Sequence, residues 1–135
     1  MKLSDYVARF LSEKGIKHVF AISGGASIHL IHSMCETPGI EIVCPLHEQA
    51  GAMAADGYSR ATGKMGVALA TSGPGATNLT TGIAGAYFDS VPMMCITGQV
   101  STFRMKGDTS VRQIGFQETE CVEMQSDETE FPEDA

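Results

Sequence analysis

No stretch of this 135-residue chain approaches the roughly 20 consecutive apolar residues that a membrane span requires. The opening Met1-Lys2-Leu3-Ser4-Asp5 lacks the continuous apolar block of a secretory signal. Basic charge is short as well, 9 Lys and Arg against 16 Asp and Glu, for a net charge of −7. That balance argues against nucleic acid as a partner, and the missing apolar run argues against a membrane. The shortage is local: residues 118–135 hold 8 acidic side chains and no basic one, while residues 1–117 hold 8 acidic and 9 basic. The four cysteines, Cys35, Cys44, Cys95 and Cys121, form no C-x-x-C pair, which sets aside a disulfide framework or a cysteine metal site. The expectation is reduced thiols in a cytoplasmic protein, with Cys44 and Cys95 acting as small core hydrophobes.

What is present is the composition of one globular domain, 43% hydrophobic and 19% charged. The first segment reads as a helix capped by Ser4, with Val7, Phe10 and Leu11 at helical spacing, and Gly15 stopping it. Four short apolar runs read as strands: His18 to Ser23, Ile40 to Cys44, Gly66 to Thr71 and Val91 to Thr97. Between them lie a helix through Ile28, Leu30, Ile31 and Met34, an alanine-rich helix from Glu48 to Thr62 ending at Gly63, and a helix from Gly75 to about Phe88. Helices alternating with continuously apolar strands predict an α/β fold with three layers, α/β/α, around a parallel sheet. Residues 101–115 lose this periodicity and read as a loop carrying Arg104, Lys106 and Arg112. From Gln125 onward nothing apolar enough to bury remains, so 1–124 reads as the domain and 125–135 as a disordered acidic tail.

In open α/β sheets, ligands sit beyond the carboxyl ends of the strands. Three strand ends here carry distinctive residues: Ser23-Gly24-Gly25-Ala26, Pro45-Leu46-His47-Glu48-Gln49, and Thr71-Ser72-Gly73-Pro74-Gly75-Ala76-Thr77-Asn78. The last is a glycine-rich turn entering a helix, whose free N–H groups could hold an anion or polar ring atoms; it matches neither the P-loop nor the full G-x-G-x-x-G pattern. Close packing of the turn would account for its glycines equally well. Glu48 stands at a strand-to-helix junction among small residues. A helix N-terminus favours its ionised form by about 0.3–1 kcal/mol, whereas full enclosure opposes it more strongly. Two readings stay open: an exposed first-turn glutamate, or an enclosed carboxyl that trades a proton with a buried base. His29 and His32 share a helix face without a third ligand at suitable spacing, and Asp89 reads as a turn residue.

Seven stretches then fall in a familiar order: Gly24-Gly25-Ala26, His47-Glu48-Gln49, Ala54 to Arg60, Ala70 to Asn78, Asp89-Ser90-Val91-Pro92, Ile96 to Val100, and Phe116-Gln117-Glu118-Thr119. Together they resemble the N-terminal pyrimidine-binding domain of thiamine diphosphate-dependent enzymes, most of all the acetolactate synthase large subunit. The resemblance implies that Glu48 hydrogen-bonds a ring nitrogen of the cofactor's aminopyrimidine and so promotes loss of the thiazolium proton. It implies that Gly24 and Gly25 lie near the reacting centre, that Thr71, Gly73, Pro74, Gly75 and Asn78 shape the pyrimidine pocket, and that Phe116 and Gln117 border a 2-oxo acid substrate. It also implies that the small residues of the Glu48 helix serve close packing between two subunits.

The departures from that family are as informative. Its diphosphate and magnesium are held elsewhere, by Gly-Asp-Gly and a later asparagine; here Gly107-Asp108 is followed by Thr109, and the only asparagine, Asn78, precedes it. A partner carrying the diphosphate-binding domain, in a homo- or hetero-oligomer, is therefore expected, and a flavin is left undetermined. The family's sheet has six strands in the order 2-1-3-4-6-5, and residues past Met124 show no final helix or strand, which would leave Val91 to Thr97 as an edge. The expected function is the pyrimidine-binding part of an enzyme that decarboxylates 2-oxo acids and joins the product to an acceptor, inactive alone. The alternatives are a non-catalytic binding or regulatory subunit on the same fold, or a nucleotide-binding module.

Overall fold

A computed structural model describes residues 1–101. The expected loop beyond Ser101, the candidates Phe116 and Gln117, Cys121, and the boundary at 124/125 with its acidic tail lie outside those residues.

The first helix, α1 (Leu3–Glu13), starts earlier than the Ser4 cap implies. Lys2 is its N-cap residue, and Asp5 reaches back to accept from the Lys2 backbone N–H at 3.2 Å, so a carboxylate meets the need that Ser4 was expected to meet. Ser4 lies inside the helix and pairs with the Ser33 hydroxyl at 2.9 Å. Gly15 ends the helix as expected, at φ +76°, and Ile16 N–H returns to the Leu11 carbonyl.

Strand β1 (His18–Ala21) follows, then α2 (Ile28–Cys35), β2 (Glu41–Val43), α3 (Glu48–Thr62) and β3 (Gly66–Ala70). The expected fourth helix is two, α4 (Pro74–Thr77) and α5 (Thr80–Phe88), joined at Asn78 and Leu79. Both joining residues keep right-handed helical angles, and Leu79 plugs the core there at 1% exposure. Strand β4 (Met93–Thr97) closes the described chain.

The four strands are parallel, in the order β2-β1-β3-β4. Central β3 is buried along its whole length and alternates its side chains between two cores. Val67 and Leu69 join Leu11, Ile16, Val19 and Met34 on the α1/α2 side. Ala68 and Ala70 meet Ala52, Ala55 and Leu79 on the α3/α5 side. Helices thus cover both faces, as the continuous apolar strands demanded. The second face is packed unusually closely. A Cβ added at Gly66 would stand 2.0 Å from the Ala55 carbonyl oxygen, and one at Gly82 would stand 2.4 Å from Ala52 Cβ. Ala52 and Ala55 of α3 therefore serve packing within the chain.

Cys44 corrects an expectation: it is exposed rather than a core hydrophobe, because β2 is a three-residue strand at one side of the described sheet. Cys35 is exposed too, while Cys95 on β4 is half-buried, and burial pushes its thiol pKa up. Among the described residues, no helix is long and apolar enough to cross a membrane.

Candidate functional site

The sheet order fixes where a ligand can enter. From β1 the chain moves outward to β2, then returns past β1 to β3, so the carboxyl ends of β1 and β3 flank the point where the strand order reverses. The loops leaving those ends touch. A Cβ on Gly24 would overlap Thr71, 2.4 Å from its Cβ, so only glycine lets the β1 loop lie this close to the end of β3. The loop after β4 closes in as well: a Cβ on Gly98 would reach 2.4 Å from the Ala26 carbonyl oxygen.

After Thr71 the chain turns at Gly73, whose φ of +64° and ψ of −128° suit a residue without a side chain. Pro74 then occupies the first helical position, where its missing N–H costs nothing. The turn brings Gly75 against Thr71 and Glu48: a Cβ there would stand 2.8 Å from Thr71 Cγ2 and 3.3 Å from Glu48 Oε1. One helical turn later, Asn78 Nδ2 donates to Glu48 Oε2 at 2.9 Å.

Glu48 itself arrives from the end of β2 as the first residue of α3. Its neighbour His47 turns away and caps the helix, its Nδ1 accepting from the Gln49 N–H at 3.1 Å. The Glu48 side chain is half-buried, between the two readings left open by the sequence. One carboxylate oxygen is held by an amide, and the other faces a position with no side chain.

The structure thus gathers Gly24, Glu48, Thr71, Gly73, Gly75 and Asn78 at one edge. Gly25 is exposed with open space where a Cβ would point, and Pro74 is exposed. His29 and His32 are both exposed. Among the described residues, no three His, Cys, Asp or Glu side chains gather to hold a metal ion. An open groove of about 240 Å³ lies elsewhere, between α3 and α5, lined by Met53, Asp56, Thr81, Gly82 and Gly85, and shares no residue with this edge.

Two features escaped the sequence reading. Asn78 was placed in the pocket but not paired with Glu48, 30 positions away, and its being the only asparagine was the one available sign. Arg60 bridges Asp56, on its own helix, and Asp89, at the end of α5, the latter at 2.5 Å. These two carboxylates raise the Arg60 pKa further above its ordinary value. Asp89 is therefore an anchor between two helices as well as a turn residue.

Residues 1–125 match the family described as thiamine pyrophosphate enzyme, N-terminal TPP binding domain. The chain is 46% identical over 123 residues to the chloroplastic acetolactate synthase of Arabidopsis thaliana, covering 91% of this chain and 18% of that protein. It is 52% identical over 99 residues to an acetolactate synthase large subunit of Buchnera aphidicola, covering 73% of this chain and 17% of that protein. With the large subunit of Escherichia coli acetolactate synthase isozyme 3, the identity is 48% over 99 residues. The chain spans less than a fifth of the length of these curated relatives.

Proposed function

Because the chain belongs to the thiamine pyrophosphate enzymes through their N-terminal cofactor-binding domain, we propose that it forms the pyrimidine-binding part of an acetolactate synthase-like enzyme. That enzyme decarboxylates a 2-oxo acid and joins the resulting two-carbon unit to an acceptor. One observation carries the reading: a glutamate at the reversal point of the sheet, with one oxygen held by Asn78 and the other beside Gly75. The fit to a flat heteroaromatic ring rests on the same place, since the absence of a side chain at residue 75 keeps Oε1 from being crowded at 3.3 Å.

Thiamine diphosphate supplies, when bound, an acidic thiazolium carbon and an electron sink for decarboxylation. The chain's own part is to orient and to move a proton. Glu48 would exchange a proton with a ring nitrogen of that group through the oxygen Asn78 does not hold, acting as acid and base in turn. Gly24 and Thr71 keep the two loops in contact, and Gly73 and Gly75 bring backbone rather than side chain to the ring. The diphosphate and its magnesium belong to a part that the Gly107-Asp108-Thr109 sequence does not provide. That part, or a second subunit, docks on exposed apolar surface such as Tyr87 and Phe88, which are 79% and 80% exposed on α5. A reducing cytoplasm suits the exposed free thiols of Cys35 and Cys44.

The test supplies the missing part. The chain mixed with the diphosphate-binding portion of a relative, thiamine diphosphate, magnesium and pyruvate should consume pyruvate, and neither half alone should. Glu48→Gln, which cannot carry the proton, should lower the rate by about a hundredfold or more. Equal rates for wild type and Glu48→Gln would leave a non-catalytic subunit as the better description.

A further inference from the structure

Glutamate is a long side chain with three rotatable bonds, and at the first position of a helix nothing in the backbone fixes its direction. In this chain something else does. Asn78 Nδ2 donates to Glu48 Oε2 at 2.9 Å across a part-buried contact. The backbone that carries the donor is itself held. The Asn78 N–H returns to the Pro74 carbonyl at 3.1 Å, and the next residue, Leu79, is anchored in the core at 1% exposure. The carboxylate is therefore held by an amide that stands on anchored backbone. Its second oxygen, Oε1, is not the one that Asn78 holds and lies close to Gly75, 3.3 Å from where a Cβ there would stand.

We propose that Asn78 is a positioning residue for Glu48: it occupies one carboxylate oxygen so that the other is the oxygen offered to the ligand. The proposal rests on the thiamine reading above and assigns Asn78 an action through Glu48 in place of direct contact with the cofactor ring. Side-chain chemistry explains why an amide does this. An ionised carboxylate only accepts, and the asparagine amide supplies N–H donors without a charge of its own. An aspartate of the same shape would set acceptor against acceptor. A serine would keep a donor but be too short to reach.

Because Asn78 is the only asparagine, the full chain labelled with nitrogen-15 at asparagine alone gives a single side-chain amide pair. One of its two protons should exchange with water about tenfold more slowly than the other, and Glu48→Ala should abolish the difference. Titration with thiamine diphosphate, in the presence of magnesium and the diphosphate-binding portion of a relative, then completes a double-mutant cycle. Asn78→Ala should weaken binding about tenfold in the wild-type background and add no further loss in the Glu48→Ala background. Asn78→Asp, which keeps the shape and removes the donor, gives the same comparison if the alanine variant folds poorly. Additive losses would show that Asn78 contacts the ligand itself, overturning the proposal while leaving the thiamine reading intact. Amide protons indifferent to Glu48→Ala would overturn it without any ligand. A protected amide proton in a chain that binds no thiamine diphosphate even with that diphosphate-binding portion and magnesium present would defeat the thiamine reading, and the proposal with it.

Discussion

The two faces of the sheet are built on different plans. The α1/α2 face is filled with branched and long side chains, among them Leu11, Ile16, Val19 and Met34, meeting Val67 and Leu69 from β3. The α3/α5 face is built from Ala52, Ala55, Ala68 and Ala70, with glycines where the backbones come nearest. The first face gains its stability from apolar area and can exchange one shape for another. The second gains closeness: α3 rests almost directly on β3, and Glu48 at its first residue is carried to the sheet edge with little slack. The candidate chemistry belongs to the second face, where small displacements matter most.

That contrast can be attacked at four points. The largest effect should come from Gly66→Ala, because its Cβ would meet backbone, not a movable side chain; a loss of about 4 kcal/mol in urea unfolding is expected. A loss under about 1 kcal/mol would mean that the two faces are equally forgiving. Next, Leu11→Ala should cost about 3 kcal/mol through the cavity it leaves, while Leu11→Met should cost less than about 1.5 kcal/mol. Arg60→Met cuts the bridge from α3 to Asp89. Its exposed setting predicts a smaller drop in melting temperature than either core change, and one that shrinks further with added salt.

The smallest effect lies on the other face and depends on pH. Hydrogen bonds from the Ser33 hydroxyl and the Lys2 backbone lower the Asp5 pKa below its ordinary 3.8. A carboxylate depressed in the folded state adds stability above its unfolded value and loses it as pH falls through the folded one. Melting temperatures from pH 6 to pH 3 should therefore fall less steeply in Ser33→Ala than in the wild type, from a lower starting point. Parallel curves would remove Asp5 from the account of acid sensitivity.

Much of this architecture was legible in the residues. The alanine-rich helix from Glu48 to Thr62, its stop at Gly63, and four continuously apolar strands all stand where local pattern places them, because each depends on neighbours in the chain. Ser4 was misread because a nearby carboxylate competed for the same helix end. Cys44 was misread because apolar neighbours do not reveal that a strand is short and lies at the side of the sheet. The Asn78–Glu48 pair and the Arg60 bridge to Asp89 join residues 30 and 29 positions apart, and no local rule reports such contacts.

The strand order also governs how the molecule must assemble in time. Phe20 of the first strand takes Val43 as one neighbour and Ala68 as the other, so neither partner exists until long segments have been synthesised. Among the described residues all strand neighbours are parallel, so none of these pairs can zip together as a hairpin to start the process. A newborn chain therefore carries its first strand unpaired past one helix and half-paired past a second, and slow folding with an interval of vulnerability to chaperones, proteases and sticking is the kinetic cost of this order.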